Sequence, residues 1–595
     1  MDDPPTLESL PDELLIRVLS YLTPTEKAAL QQVSRRILRV SRDNTLWKHL
    51  SFNKSLQIDD VHGRRALFDP EVPECTAKPG SAEYTRLLEN WDPFYPGEPT
   101  NWYDEYIQRN GPISVNWFQQ AYRNVNFARY YLDARGMALW HPKAHRGTSI
   151  AVTPMADGSV YLWDVRGTKE KRGSVLAKSD VGSIFYEGKG KGRRDELADT
   201  GVVECVAVDS DRDMAFVAVE SHLMHIDLKT LRTVSSITFP WVIGSLSSTQ
   251  PGVPLTVGTN LGIHLYDHRT NVKPRHDRDE KLEKPASGAY QSLIDTLFLS
   301  PLPAYAPLPQ PGPLSILHLE NPGQPNSVSD DIYVTGRFSN ILLYDRRKFD
   351  HMVSSIHSGA RLCTLSSLPY SSSVFDYEYR SKGLYSLAQV DASKQLDGGR
   401  TIIAGGEYNS KGSLELYDLL PPNRSTLNHS SGELQRGTMK NRQTASSSKI
   451  LSVVTHGSRI ALSDSSGFVK WFERDGFTEV RRWKIGHSFM GATHSLFASM
   501  PGSDDVARKM LVTSNPGEDD AGINRSDILF WTGEKLGLMR FSARAGTVPG
   551  DFEGDATQTP EELEMEENER LHSQRMRDAL QRHADEVRFV QELGL

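Results

Sequence analysis

The sequence predicts an α+β multidomain chain with a small helical unit at the N-terminus, a helical connector, a large mainly-β body and a C-terminal helix. Three observations lead there. Apolar residues between 7 and 50 recur at helical spacing. From about residue 131 short β-rich runs alternate with turn residues, and one hairpin pattern returns seven times. Residues 551–595 hold thirteen Asp/Glu against five Arg, with a capping signature and a modest apolar stripe behind it.

The whole chain has 595 residues, 68 Lys+Arg and 76 Asp+Glu, a net charge of −8. The acidic tail accounts for all of it, so residues 1–550 are balanced, without the basic surplus of a general nucleic-acid binder. Cys75, Cys205 and Cys363 are far apart and form no CxxC pair, which disfavours a disulfide scaffold or cysteine zinc site and suits a reducing compartment. The opening MDDPPTLESLPDELL lacks the basic and apolar regions of a signal peptide, and no run of about 18 apolar residues exists. The expectation is a protein of the cytoplasm, the nucleus or both, with no membrane or nucleic-acid partner.

In residues 7–50, Leu14, Leu15, Val18, Leu19 and Leu22 form one helical stripe behind Pro11. Thr23-Pro24 breaks it; a second helix runs from Pro24 with Ala29, Leu30 and Val33 on its buried side, and a third ends near Leu46-Trp47. Three short helices bury little surface alone, so such a unit often completes its core against a partner. The segment resembles an F-box on Leu10, Pro11, Glu13, Leu14, Leu15, then Val18, Leu19, Tyr21 and Leu22, then Val33-Ser34-Arg35 and Leu46-Trp47. Ile37 stands where the family usually has an aromatic. The resemblance implies docking on the Skp-type adaptor of cullin-based ubiquitin ligases, with Leu10, Pro11, Leu14, Leu15, Val18, Leu19 and Leu22 as the adaptor-binding candidates. Some of these must hold the module's own core, and the sequence does not separate the two roles.

Residues 51–130 read as a connector with helices at roughly 101–110 and 114–123. Trp91, Trp102 and Trp117 point to packing against neighbouring domains more than to a ligand cage.

Over 131–545 the hairpin ends are Gly158–Asp164, Ser221–Asp227, Leu261–Asp267, Ser339–Asp345, Gly412–Asp418, Gly467–Glu473 and Ser526–Thr532. Each follows another apolar run, such as MAFVAV or KMLVTS. Trp163, Ile226, Tyr266, Tyr344, Tyr417, Phe472 and Trp531 are their structural anchors. A hairpin cannot bury both faces alone, so repeats stack, and short antiparallel sheets around an axis make a β-propeller, favoured here over a two-sheet architecture. The copies look like divergent WD repeats, Asp157–Asp164 most of all; Gly486-His487 is the family's only Gly-His dipeptide here. About seven blades are expected. Anchor intervals of 40 to 78 residues imply long loops around 167–195, 270–290, 299–313 and 421–448.

In residues 546–595, Thr559-Pro560-Glu561-Glu562 opens a helix expected over 560–592. No GxSxG, P-loop, HExxH or dinucleotide fingerprint is present. Asp209, Asp211, Asp213 and Glu220 match four positions of a calcium loop, but Met214 replaces the required Gly and a blade turn is favoured. His222 and His225, three apart on a strand, face opposite ways and neither reads as a metal ligand. No catalytic residue, metal or cofactor is expected. The combined resemblances imply a non-catalytic substrate receptor of an SCF-type ubiquitin ligase, joined through the adaptor to a cullin, with the propeller holding a protein target for proteasomal degradation. The alternative is an adaptor-bound scaffold or assembly protein without ubiquitination of a propeller-bound target. Neither the target nor the residues that bind it can be read from the sequence.

Overall fold

A computed structural model describes residues 10–58 and 93–541, less a few short stretches and the segments 185–201, 270–303, 371–399, 420–438, 486–505 and 514–526. Beyond 541 it describes only Arg575 and Arg582, both helical and exposed, so the expected tail helix and its cap lie outside the described residues, as does Gly486-His487. The chain divides into two compact units, 1–545 and 546–595.

The first unit begins with helices α1 (Asp12–Ser20), α2 (Pro24–Leu30), α3 (Arg35–Ser41) and α4 (Asn44–Ile58). The expected third helix is therefore two: α3 is capped at Arg42, Asp43 Oδ1 accepts from Leu46 N (2.9 Å), and Leu46-Trp47 open α4 instead of ending a helix. Helix α5 (Trp102–Asn110) follows, then strand Ile113–Trp117 and a hairpin of Tyr122–Val125 with Ala128–Tyr131. The remainder forms seven four-stranded antiparallel sheets. In six of them the strands lie side by side in chain order, from the inner first strand to the outer fourth. Blade 1 runs from Ala138 to Lys178, blade 2 from Val202 to Thr238, blade 3 from Ile243 to Pro307 and blade 4 from Pro313 to His357. Blade 5 runs from Arg361 to Ser446 and blade 6 from Ile450 to Lys484. The fold is a seven-bladed β-propeller.

Each pair of neighbouring blades shares its own apolar cluster. Ile150, Val152, Val217 and Ile226 join blades 1 and 2; Tyr333, Ile341, Ile402 and Tyr417 join blades 4 and 5. Hydroxyl side chains tie inner strands together across blades. Leu365 N donates to Ser315 Oγ (3.1 Å), Val453 N to Thr364 Oγ1 (3.3 Å) and Met510 N to Ser452 Oγ (3.1 Å). Small polar side chains let the inner strands approach while satisfying backbone donors that sheet pairing leaves over.

Blade 7 differs. Its strands are Lys509–Val512, Ile528–Trp531 and Leu536–Phe541, and the outermost is Ile113–Trp117, paired antiparallel from Ile113↔Phe541 to Trp117↔Gly537. The segment 114–123, expected to be helical and part of the connector, is therefore extended: it holds the closing strand and the start of the hairpin. Val115 and Trp117 pack into the cluster between blades 6 and 7, and that burial overrides the local signal. The other expected helix, at 101–110, is α5.

Six anchors sit on the third strand of their blade, pack toward the preceding blade and are buried: Trp163, Ile226, Tyr266, Tyr344, Tyr417 and Phe472. Trp531 is buried too, but on the second strand, and packs instead toward blade 1 beside Trp163. The seventh copy thus supplies strands one and two, not two and three. Three of the presumed loops carry outer strands: Val175–Lys178, Ala304–Pro307 and Met439–Ser446.

Strand alternation places the first-to-second and third-to-fourth turns of every blade on one face. Second-to-third turns and blade-to-blade connections lie on the opposite, far face.

Candidate docking site

Local chemistry sets the geometry of the N-terminal helices. Pro11 precedes α1, where its missing N–H costs nothing, and its carbonyl accepts from Leu14 N and Leu15 N (both 3.1 Å). Thr23 and Glu26 form a capping box on α2: Thr23 N and Thr23 Oγ1 each donate to Glu26 Oε2 at 2.8 Å. These bonds hold the Glu26 carboxyl below its ordinary range. Ser34 Oγ caps α3 by accepting from Ile37 N (3.3 Å). Arg36 on α3 reaches back to α1, donating to Asp12 Oδ1 (2.6 Å) and Leu10 O (2.5 Å). Lys27 is buried and donates to Leu22 O (2.6 Å), and burial pulls its pKa down.

The structure separates the two roles of the leucine stripe. Leu15 and Leu19 are core residues, packed with Val40 and Leu46 and only 3% and 4% exposed. They are thereby removed from the set of surface candidates. Leu14 and Val18, one position earlier on the helix, are 52% and 43% exposed. Tyr21 continues their i, i+4, i+7 line at 75%, with the Arg17 guanidinium 5.5 Å from its ring, and Val33 is 63% exposed. Pro11 is exposed, while Leu10 and Leu22 are half-buried. Tyr21 was legible only as a motif position, which the helical line through Leu14 and Val18 could have added. Val33, expected on the buried side of the second helix, lies beyond the end of α2 at Leu30 and so is free of that helix's packed face. Ile37 is 3% exposed, so the aliphatic side chain fills its site in the core.

Residues 7–53 match the F-box-like family model. This chain is an F-box protein with a β-propeller. No curated protein matches it. F-box domains in general bind Skp-type adaptors, and F-box proteins are typically non-catalytic.

In this F-box protein the module is bolted to blade 6. Trp47, the last residue of the F-box pattern, is fully buried; its indole donates to Ser41 O (2.6 Å) and meets Tyr103 and Tyr106 of α5 at ring distances of 4.9 and 5.1 Å. Asn44 accepts from Trp102 N (2.9 Å), and Phe94 lies edge-on to Trp102 at 5.0 Å. Trp102 therefore packs between domains as expected, Trp117 lies on the closing strand, and Trp91 is outside the described residues.

The opposite side of α5 carries charge into the propeller. Glu105, fully buried, accepts from Arg459, from Arg109 Nε (2.8 Å) and from Ser458 Oγ (2.7 Å). Arg109 also pairs with Glu473 (3.0 Å). Burial alone would push the Glu105 carboxyl up, yet the Arg459 and Arg109 guanidinium groups hold it well below its ordinary range. Burial raises Glu473 against the same two arginines. Arg474 grips Glu98 with both nitrogens (2.5 and 2.8 Å), while its guanidinium lies over the stacked rings of Tyr95 and Tyr370. Arg481, whose pKa burial lowers to about 10, donates to Gln108 O (2.7 Å) and Gly111 O (2.5 Å) at the C-terminal end of α5. Ser458 and Arg459 belong to the first-to-second turn of blade 6 and Glu473 and Arg474 to its third-to-fourth turn. The F-box side thus occupies the face opposite the far face.

The other candidates resolve as structure. Asp209 accepts from Asp211 N (2.9 Å) and meets His268 Nε2 (2.9 Å), Asp213 pairs with Lys229 (2.7 Å) and Trp140 Nε1 (2.9 Å), and Asp211 faces Lys143 (3.0 Å). These carboxylates serve a turn between blade strands and do not converge. His222 meets Thr238 Oγ1 (2.9 Å) and buried His225 meets Ser235 Oγ (2.8 Å). Among the described residues no group of three or more His, Cys, Asp or Glu is placed to hold a metal ion, and no helix is long and apolar enough to cross a membrane.

Proposed function

We propose that this F-box protein is the substrate-recognition subunit of an SCF-type ubiquitin ligase acting in the cytoplasm, the nucleus or both. Pro11, Leu14, Val18, Tyr21 and Val33 dock on the Skp-type adaptor, the adaptor joins it to a cullin, and the propeller holds a protein target. The chain contributes proximity, not chemistry, by raising the target's effective concentration beside the charged conjugating enzyme. The blades are read as divergent WD-like repeats.

One observation carries the reading. The exposed apolar line Leu14, Val18, Tyr21 stands on a module fixed by buried ion pairs to one propeller face, and exposed apolar side chains of the blades' turns and connections, including Val181, Val242, Leu261 and Tyr408, lie on the other. A helix that offers spaced apolar anchors fits a groove on a partner. An adaptor docked there would stand on the side away from the described residues of the far face.

The test is co-purification of the adaptor and cullin with the wild-type chain and with Leu14→Asp/Val18→Asp. Loss of both partners from a variant that still melts cooperatively supports the docking surface; equal recovery overturns it. Ubiquitination of co-purified proteins that requires the propeller separates a receptor from a scaffold.

A further inference from the structure

The far face is not uniform in charge. Around blades 4 to 7 it carries Arg337 on the second-to-third turn of blade 4, Arg361 and Lys411 on blade 5, Lys449 at the start of blade 6 and Arg508 at the start of blade 7. All but Lys449 are exposed, and Lys449 is half-exposed. The acids on this arc are fewer among the described residues: Glu407, opposite Arg361 in the strand pairing, and Glu534 are half-exposed, and Asp464 is buried against Lys470 (3.4 Å).

Arg361, Lys449 and Arg508 each stand where an inner strand begins. Those strands touch: Cys363 Sγ lies 3.0 Å from Ile450 O, and Ser452 Oγ accepts from Met510 N at 3.1 Å. The three cations therefore form an arc at the mouth of the central axis. Apolar groups flank it. The Tyr408 ring passes beside Gly359, within 3.8 Å of where a Cβ would stand, and is 39% exposed; Leu314, at the start of the inner strand of blade 4, is 37% exposed. A cationic arc over a low-dielectric surface focuses attraction for anions, and the neighbouring apolar side chains reward a ligand that brings apolar groups of its own.

We propose that this arc binds a carboxylate-rich peptide segment of a protein target, with Arg361 and Lys449 pairing with its Asp/Glu side chains and Tyr408 and Leu314 holding an interspersed aliphatic residue. The proposal rests on the reading of the propeller as the target-holding part and gives that part a site and a ligand chemistry.

The full-length chain, with and without co-purified adaptor, is titrated into fluorescein-labelled peptides of repeated Glu-Glu-Leu, Lys-Lys-Leu and phosphoserine-Glu-Leu, read by anisotropy. The Glu-Glu-Leu peptide binds, the Lys-Lys-Leu peptide does not, and affinity falls several-fold between about 50 and about 300 mM salt. Arg361→Glu/Lys449→Glu weakens binding by about tenfold or more. Arg361→Gln/Lys449→Gln weakens it less, keeps the wild-type melting temperature and replaces the charge-reversed variant should that one not fold. Equal binding of the basic peptide, no effect of either variant, a requirement for the phosphoserine peptide, or displacement of the Glu-Glu-Leu peptide by single-stranded RNA overturns the proposal. Adaptor recovery is scored separately. Its loss counts against the F-box reading, whereas lost peptide binding with adaptor retained counts against the far-face site.

Discussion

Arg459, on a turn of blade 6, donates to Glu105 on helix α5, 354 residues away, and both side chains are fully buried. Charges removed from water are tolerated only in company. Here the company is Arg109, Glu473 and Ser458, and the ensemble is neutral overall.

Removing one member leaves an uncompensated buried charge. Glu105→Ala should cost about 3–5 kcal/mol and expose the F-box linkage to protease, whereas Glu105→Gln, which keeps the shape and one acceptor, should cost less. Thermal melts and limited proteolysis of the two variants measure the difference; equal melting temperatures would contradict the network's role.

Neighbouring leucines on α1 should respond in opposite ways. Leu15→Ala empties a core site and should cost about 2–5 kcal/mol. Leu14→Ala, at a half-exposed position, should stay within about 0.5–1 kcal/mol of wild type while weakening adaptor recovery. Paired melts and pull-downs decide this.

Closure of the ring depends on Ile113–Trp117. A chain begun at residue 131 exposes the Leu536–Phe541 edge, an apolar strand with unpaired backbone groups, and should aggregate or melt well below a chain begun at residue 93. Size-exclusion chromatography of the two separates them.

Acid should loosen the propeller through two histidines. His225 and His318 are pulled down to about 4 by burial, with His268 and Arg346 respectively adding to the effect. The unfolded chain takes up these protons near pH 6.5 and the folded chain only near pH 4, so the stability they confer is complete above pH 6.5 and drains away as pH falls toward 4. The loss is on the order of 3 kcal/mol per histidine. Glu105, held low, acts in the same sense only in more acid solution, and Glu473, held high, opposes it. Stability measured by urea unfolding between pH 6.5 and 4.5 should therefore slope downward, and His225→Gln/His318→Gln should flatten the slope.

The hairpins were legible because a buried second and third strand repeat the same alternation, ending at an anchor such as Trp163 or Tyr417 that fills the gap to the previous blade. Outer strands such as Val175–Lys178 and Ala304–Pro307 are short and mostly half-exposed or exposed, so they carry little apolar pattern and read as loops. Trp531 copies the anchor pattern on a different strand because Trp163 and Leu536 offer it an equivalent pocket. The F-box pattern identified the module but not which leucines face outward, a question of helix phase that Leu14 and Leu15 answer only once α3 and α4 are in place. The Arg459–Glu105 and Arg474–Glu98 pairs leave no local trace, since each partner alone is an ordinary surface residue type.

The closing strand also fixes an order of events at the ribosome. Trp117 is made about 420 residues before Phe541, the end of the strand it must border. At about 5–20 residues per second the helical module and its linker wait about 20–85 s for the last blade. Throughout that interval Ile113–Trp117 has no mate, and any message cut short before the codon for Leu536 yields a module whose ring never shuts.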